Sequence, residues 1–260
     1  MFPVLLKIGN FAIPTYGVLY LFSFLVGIAV FARLTRSESM PFGKMYELGF
    51  GIAIAGEVGA RLLFIIVEWE RFSSGAISMQ QFLVAGRVVL GGVVAASIYC
   101  IWVVRHYNLK PARMLDAMLT GAALGMSFGR LGCLAAGCCY GKPTDLWWGI
   151  TFTHSLAEKL NGTPLGVPLH PTQILQFATA MLLFLFLLQM HRWRQYDGQV
   201  AAMFFLIAGL LRFGNEFFRG DPRGEAAGIT TSQWVGLLMA AGAAAWLIYR
   251  GRRHRIESCG

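Results

Sequence analysis

Hydrophobic and polar positions alternate along this chain in long blocks. Seven apolar stretches, each about 15–21 residues long, are separated by polar segments, and a stretch of about this length can span a bilayer as an α-helix. The third and sixth stretches are marginal in length for a span, so these helices would be tilted, kinked or longer than the bounds given below. The pattern predicts an all-α, polytopic membrane protein with about seven transmembrane helices, in a single membrane-embedded domain over residues 1–260. The stretches are Ile13–Ala32, Glu47–Val67, Val88–Val104, Met114–Leu131, Ile174–Met190, Gln199–Phe213 and Gln233–Tyr249.

Composition favours the same class of protein. The chain is 56% hydrophobic and 13% charged, with a mean hydropathy of +0.58, whereas about a quarter of the residues in a soluble domain are charged. The first stretch lacks a small-residue cleavage site and is longer than a signal-peptide core. We therefore interpret it as a helix of the mature protein.

The net charge of +9 is distributed so that it orients the chain. Basic residues follow the first, third, fifth and seventh stretches, and the positive-inside rule places those segments in the cytoplasm. The prediction is an outside N-terminus and a cytoplasmic C-terminus, with no nucleic-acid partner needed to explain the charge. The residues are Arg33, Arg36, Lys44, Arg105, Lys110, Arg113, Arg192, Arg194, Arg250, Arg252, Arg253 and Arg255.

The longest connection is a predicted outer loop at about 132–173. Trp147 and Trp148 within it are typical of a membrane–water interface. Glycines four residues apart inside the apolar stretches, such as Gly121 and Gly125, predict close packing of helices.

Three arginines, Arg61, Arg130 and Arg212, lie toward the predicted outer ends of the second, fourth and sixth stretches. The helix dipole and snorkelling explain one such arginine easily. Three of them in the leaflet that the positive-inside rule depletes instead predict a shared anion site, and a lipid phosphate is the natural ligand of guanidinium groups. Other polar residues expected at this face are Tyr16, His170, Gln173, Gln176, Glu216 and Arg219.

Two of these arginines have a glutamate four positions away, the spacing of an intrahelical ion pair. For Glu57 and Arg61 we favour the ion pair, because it neutralises both charges within the membrane. Arg212 and Glu216 share the spacing. At the membrane edge, either pair could equally belong to a binding site.

Three of the five cysteines, Cys133, Cys138 and Cys139, fall in a glycine-rich segment after Arg130, and none of the spacings is that of a zinc finger. Two chemistries are open. Arg130 could lower the pKa of a thiol and favour a reactive thiolate, or Cys133 could form a disulfide with Cys138 or Cys139 on the oxidising outer side. We favour the disulfide or inert packing. Cys100 and Cys259 have no evident role, and no metal or cofactor is expected.

The order of these motifs resembles the prolipoprotein diacylglyceryl transferase family of bacterial inner-membrane enzymes. The resemblance covers most of the chain, and its signature block runs from Gly129 to Gly141. The matching segments are Tyr16-Gly17, Gly59-Ala-Arg61-Leu62, Gly91-Gly92, Lys142-Pro-Thr-Asp145, Trp148-Gly-Ile150 with Phe152, His170-Pro171 with Gln173, Arg212-Phe213, Glu216-Phe-Phe-Arg219 and Thr231-Ser-Gln233.

The resemblance implies transfer of a diacylglyceryl group from phosphatidylglycerol to the cysteine thiol of a lipobox, or to another acceptor, at the outer face of the inner membrane. An anionic phospholipid and a lipoprotein precursor are the implied partners. Arg130 and Arg212 would hold the phosphate, and Tyr16 and Glu216 would support the site. The predicted catalytic residues are Arg130, Arg212, Tyr16, Glu216, Cys133 and Cys138; the predicted substrate-binding residues are Arg61, Gly132, Gly137, Cys139, His170, Gln173 and Arg219.

The chain departs from the family pattern at positions where the family's residue could accept a proton. Leu90 replaces the histidine before the paired glycines, and Cys133, Ala136 and Cys138 replace two asparagines and an acidic residue. Gln176 replaces a glutamate. This pattern indicates retained lipid binding with altered chemistry. A positioned base is worth about 10²–10⁴-fold in rate, so unchanged catalysis would need a substitute such as His170, His154 or a cysteine thiolate.

Two other functions remain open at this point. One is a lipid-binding or thiol-redox membrane protein without transferase activity. The other, a small-solute transporter, is weaker, because the polar residues cluster at one membrane face and not at the bilayer midplane.

Overall fold

In a computed structural model, most of the chain is helical. The structure describes residues 4–8, 11–36, 42–75, 82, 88–221, 224–226 and 228–259. Within these ranges lie seven long helices: α1 (Thr15–Leu34), α2 (Phe42–Val67), α4 (Val89–His106), α5 (Pro111–Ala136), α7 (Thr172–Trp193), α8 (Gln199–Glu216) and α9 (Thr231–Cys259). Two short helices are α3 (Trp69–Ser73) and α6 (Ser155–Asn161). The predicted all-α fold class is confirmed.

The strands are short and form three antiparallel pairs in the described part of the chain. Strands β1 (Val4–Ile8) and β2 (Phe11–Pro14) precede α1. Strands β3 (Ile150–Thr151) and β4 (Pro168–Leu169) lie in the predicted outer loop, and β5 (Glu225–Ala226) and β6 (Ile229–Thr230) precede α9.

Five of the long helices, α1, α2, α5, α7 and α9, are long and apolar enough to cross a membrane. The other two, α4 and α8, have 18 residues each and correspond to the two stretches that the sequence marks as marginal. Large apolar side chains such as Leu21, Ile54, Leu182 and Leu238 are exposed on the helices, as expected where lipid and not protein covers them. The chain is a multi-pass membrane protein. The number of spans and their orientation stay predictions.

The chain divides into two compact units, one formed by Met1–Val30 with Leu115–Gly260 and the other by Phe31–Met114. The single membrane-embedded domain therefore stays a prediction. In the smaller unit, α2 packs against α4. A Cβ on Gly92 would lie 2.8 Å from the carbonyl oxygen of Gly56, so the two helices approach at backbone distance.

Close packing at glycines also organises the larger unit. A Cβ on Gly125 of α5 would lie 2.8 Å from the carbonyl oxygen of Ser23 in α1, and one on Gly236 of α9 would lie 2.7 Å from the carbonyl oxygen of Gly209 in α8. Between α5, α7 and α8 lies a buried apolar cluster of Leu119, Ala123, Leu183, Leu187, Val200, Ala201 and Phe204. These contacts hold the helices that carry the candidate site.

A buried carboxylate fixes the beginning of α8. Asp116 of α5 is fully buried and accepts hydrogen bonds from the backbone N–H groups of Gly198 at 2.9 Å and Ala201 at 2.7 Å. Arg194 lies 3.6 Å from the same carboxylate. A negative group at a helix N-terminus satisfies unpaired amides and the helix dipole together. The sequence analysis did not predict this contact.

Candidate active site

The chain leaves α5 through a tight turn that contains two of the cysteines. The backbone N–H of Cys138 donates to the carbonyl of Cys133 at 3.1 Å, and that of Gly137 to the carbonyl of Leu134 at 3.3 Å. Gly137 has φ 76° and Cys139 has φ 59°. A left-handed glycine commonly ends a helix, but a cysteine in this region is uncommon and indicates a backbone that its surroundings constrain.

The first turn of α7 holds the carbonyl groups of this turn. Thr172 Oγ1 donates to the carbonyl of Cys139 at 2.7 Å, and Gln173 Nε2 donates to the carbonyl of Cys138 at 2.8 Å. Both donor side chains are buried. The sequence analysis placed Gln173 at the site but missed Thr172, because a single threonine carries no signal for a contact across the intervening loop.

The segment after Cys139 pairs with the segment after α8. Gly141 and Arg219 face each other in an antiparallel bridge. A Cβ on Gly141 would lie 2.9 Å from the carbonyl oxygen of Phe218 and would also meet His170, so only glycine fits this crossing. The pairing brings Arg219 to Cys139.

Arg219 is the buried cation of this region, with 5% of its surface exposed. Its guanidinium donates two hydrogen bonds of 2.8 Å to the carboxylate of Asp221 and also hydrogen-bonds the Cys139 side chain. The bidentate pair fixes the plane of the guanidinium. The sequence analysis expected Arg219 here but missed Asp221, whose spacing of two residues matches no helical ion pair.

The turn brings the three cysteine side chains together. The Sγ atoms of Cys133, Cys138 and Cys139 lie within 4.8 Å of one another, and all three are thiols with no disulfide between them. Arg130 Nη1 lies 3.9 Å from the Sγ of Cys139. The sequence analysis favoured a disulfide or inert packing; no disulfide joins these three cysteines in this structure, and two guanidinium groups, those of Arg130 and Arg219, contact Cys139.

The pKa values of the two cysteines after α5, Cys138 and Cys139, are shifted in opposite directions. Hydrogen bonds from the thiols of Cys133 and Cys138, together with the charge of Arg219, lower the pKa of Cys139 far below its ordinary value. Hydrogen bonds with Cys133 and Cys139 raise the pKa of Cys138. A thiolate is therefore favoured at Cys139. The sequence analysis named Arg130 as a charge that could lower the pKa of a thiol but missed this role of Arg219, which acts on the pKa of Cys139.

Arg212, the second arginine of the family pattern, lies near the C-terminal end of α8. Arg212 Nη2 lies 3.1 Å from the carboxylate of Glu216 and donates to Ser232 Oγ at 2.7 Å. The Arg212–Glu216 ion pair that the spacing of four residues suggested is therefore formed. Its glutamate is buried, with 5% of the residue exposed. Ser232 ties the guanidinium to the first turn of α9, a contact that the sequence analysis missed.

Tyr16 and His170 also lie against the residues of this region. A Cβ on Gly132 would lie 3.3 Å from Tyr16 Cδ2, so the tyrosine ring covers the helix just after Arg130. The His170 ring contacts the Phe218 ring at 5.5 Å between centroids, and its Nδ1 accepts a hydrogen bond of 3.4 Å from Trp148 Nε1.

Two buried amides in α7 have polar atoms without a hydrogen-bond partner among the described residues. They are Gln173 Oε1 and both polar atoms of Gln176, which is 6% exposed. A buried polar atom without a partner costs free energy, so these amides are suited to a polar ligand. Gln176, which the sequence analysis noted without assigning it a role, joins the site residues on this observation.

Arg61 and Leu90 belong to the other compact unit. Arg61 Nη2 lies 2.8 Å from Glu57 Oε1, which confirms the intrahelical ion pair, and its guanidinium stacks 5.6 Å from the Phe82 ring centroid. Leu90 is 65% exposed on α4. That Arg61 joins Arg130 and Arg212 in one anion site stays a prediction.

The fold and the site together define a class of protein: a multi-pass helical membrane protein with two arginines, Arg130 and Arg219, beside a cysteine-containing turn. The model of the family described as prolipoprotein diacylglyceryl transferase matches residues 3–249. The chain belongs to this transferase family, as the sequence motifs predict.

Relatives with assigned names agree with the family match. The phosphatidylglycerol–prolipoprotein diacylglyceryl transferase of Clostridium tetani is 32% identical over 91% of this chain and 93% of its own length. The protein named transferase 2 of Clostridium perfringens is 30% identical over 86% of this chain and 88% of its own length, and that of Finegoldia magna is 30% identical over 84% of each. The comparisons give no support to the non-transferase alternative.

Proposed function

We propose that this protein transfers the diacylglyceryl group of phosphatidylglycerol to the cysteine thiol of a lipoprotein precursor at the outer face of the bacterial inner membrane. The observation that carries the proposal is membership of the transferase family, in a chain that holds Arg130 and Arg219 beside Cys139 and fixes Arg212 with Glu216 and Ser232.

Arg130 and Arg212 hold the phosphate of the lipid headgroup. Glu216 and Ser232 orient the Arg212 guanidinium from two sides, which reduces the entropy lost when the phosphate binds. Arg130 projects from α5 just before the constrained turn, where its neighbour is the Cys139 sulfur. The single negative charge of a lipid phosphate would balance the charge of Arg130, while Glu216 already balances that of Arg212.

The reaction forms one carbon–sulfur bond and breaks one carbon–oxygen bond. The acceptor thiol first releases its proton to water, and its sulfur then attacks the glycerol carbon of the diacylglyceryl group as the bond from that carbon to the phosphate oxygen breaks. Glycerol phosphate leaves with the electron pair of that bond. Guanidinium groups already in place stabilise the charge that develops on the leaving phosphate.

The histidines of the predicted outer loop are poorly placed to take the thiol proton. His170 Nδ1 accepts from Trp148, and His154 Nδ1 accepts from the backbone N–H of Leu156 at 3.2 Å, where it caps α6. In a neutral ring whose Nδ1 is the acceptor, Nε2 carries the proton and is not basic. Since Leu90 stands at the family's histidine position, catalytic roles for Cys133 and Cys138 remain part of the proposal.

The remaining predicted residues take supporting roles in the proposal. Tyr16 packs over Gly132 beside the phosphate site. Gly137 and Cys139 shape the turn. Gln173 and His170 line it from the α7 side.

The test is lipid transfer by the purified full-length chain in phosphatidylglycerol vesicles with a lipobox peptide. We expect release of glycerol phosphate and a matching mass gain of the peptide. Arg130→Gln and Arg212→Gln should each lower the rate by about 10²-fold or more, because each removes a charge from the developing phosphate.

Arg252→Gln is the matched control, since it removes an exposed arginine of the predicted cytoplasmic tail. It should leave the rate unchanged. Full turnover by the Arg130→Gln/Arg212→Gln double variant would refute the phosphate assignment. Absence of any peptide product from the unaltered chain, with well-behaved protein, would refute the acceptor.

A further inference from the structure

The three clustered cysteines form a group whose arrangement the proposed catalytic roles of Cys133 and Cys138 do not account for. Cys133 belongs to the last turn of α5, and Cys138 and Cys139 follow in the turn after it. Their Sγ atoms lie within 4.8 Å of one another. Thiolates bound to one Zn²⁺ ion at about 2.3 Å lie about 4 Å apart, so a small closure would bring the three sulfurs to bonding distance.

The backbone around these sulfurs is fixed by contacts outside the cluster. Thr172 and Gln173 bind the carbonyls of Cys139 and Cys138, and a backbone hydrogen bond joins Cys138 to Cys133. Ligands held in place before the ion arrives lose little freedom when it binds. None of the three cysteines is fully buried, so an ion can reach the sulfurs.

The charges nearby favour the anionic form of a sulfur ligand set. Arg130 Nη1 lies 3.9 Å from Cys139 Sγ, and Arg219 hydrogen-bonds the same residue. Three thiolates and one divalent cation carry a net charge of −1, which adjacent guanidinium groups can balance. An all-sulfur donor set selects soft or borderline metal ions over Mg²⁺ or Ca²⁺.

We propose that Cys133, Cys138 and Cys139 together bind one thiophilic metal ion of the Zn²⁺ class. Each sulfur releases its proton to solvent and donates an electron pair to the ion. Three protein ligands leave one coordination position open. The sequence analysis expected no metal, because a Cys-x₄-Cys-Cys spacing is not that of a zinc finger; the left-handed turn at Cys139 is what brings the third sulfur to the other two.

The test uses the full-length chain in detergent, reduced and stripped of metal under anaerobic conditions, and titrated with Cd²⁺ as the probe. We expect one ion per chain, ultraviolet absorption from sulfur-to-cadmium charge transfer, and protection of all three cysteines from alkylation when mapped by mass spectrometry. Cys133→Ser, Cys138→Ser and Cys139→Ser should each weaken binding by about tenfold or more.

Cys100→Ser is the matched control, because Cys100 lies in α4, within the other unit, and it should bind as the unaltered chain does. A reduced, unaltered chain without charge-transfer absorption or alkylation protection would overturn the proposal, whether or not the serine variants fold. Because the titration contains no lipid or peptide, its outcome is independent of the transfer assay.

Discussion

The contacts of Cys139 show how one residue joins several parts of the site. Its backbone has φ 59°, its carbonyl accepts from Thr172 of α7, and its sulfur lies 3.9 Å from Arg130 of α5. Arg219, from the segment after α8, hydrogen-bonds its side chain. Helices α5 and α7 and the segment after α8 therefore meet at this one residue.

The acidity of Cys139 leads to a prediction about thiol reactivity. Because its pKa is lowered and that of Cys138 is raised, Cys139 should stay a thiolate at a pH where Cys138 is protonated. In metal-stripped, reduced protein, alkylation of Cys139 should therefore persist at a lower pH than alkylation of Cys138, as measured by mass spectrometry across a pH series.

A change at Arg219 tests the cause of this acidity. Arg219→Gln should raise the pKa of Cys139 and move its alkylation profile to higher pH, whereas Arg219→Lys keeps the charge and should move it less. Equal alkylation profiles for the two cysteines in the unaltered chain would contradict the prediction.

Among the secondary-structure elements, α8 depends on contacts at both ends. Asp116 caps its first amides, and Glu216 pairs with Arg212 in its last turn. Along its length it packs against α9, where Gly209 and Gly236 let the two backbones approach. The position of Arg212 therefore depends on residues far from the anion it is proposed to bind.

Asp116→Ala should destabilise the protein by about 3 kcal/mol, because two buried amides of α8 lose a charged acceptor. Asp116→Asn keeps one carbonyl oxygen as an acceptor and should lose less stability. The measurement is the thermal unfolding midpoint of the detergent-solubilised chain. An unchanged midpoint for the alanine variant would contradict the capping role.

Gly209→Ala should also destabilise the protein, by about 1–3 kcal/mol, since the new methyl group would meet the carbonyl of Gly236 and lie 3.0 Å from the backbone nitrogen of Ala240. Gly242→Ala is the matched control, because no atom lies within 4 Å of the methyl position there. Equal unfolding midpoints for the two variants would show that α8 and α9 do not pack through these glycines.

For the whole molecule, the orientation in the membrane decides which face the site occupies. Positive-inside bias predicts that the loop around residues 132–173 lies outside and the C-terminal arginines inside. Two exposed residues can report on the two sides of the membrane. They are Trp147, which is 90% exposed, and Arg252.

In a chain with all five cysteines changed to serine, Trp147→Cys should react with a membrane-impermeant maleimide in intact cells from which any outer membrane has been removed. Arg252→Cys should react only after the cells are permeabilised. The reverse pattern would invert the topology and place the proposed site in the cytoplasm.

The order of apolar and polar segments was enough to determine the class of fold and to locate the seven long helices. The last helix, predicted to end at Tyr249, continues to Cys259, and the other ends differ from the predicted bounds by up to about five residues. The helices can be located in this way because a bilayer requires each span to satisfy its own backbone hydrogen bonds, so length and apolarity carry the information locally. Family motifs likewise identified most residues around the turn, including Arg130, Arg212 and Arg219.

Tertiary structure alone decided which of these residues touch. In the folded chain Arg219 pairs with Asp221, Arg212 donates to Ser232 and Asp116 caps α8. Three thiols also lie close together, although their spacing in the sequence does not indicate a set of metal ligands. Such contacts join residues that are distant in the chain or that lie in irregular backbone, where no repeat of 3.6 positions relates one side chain to another.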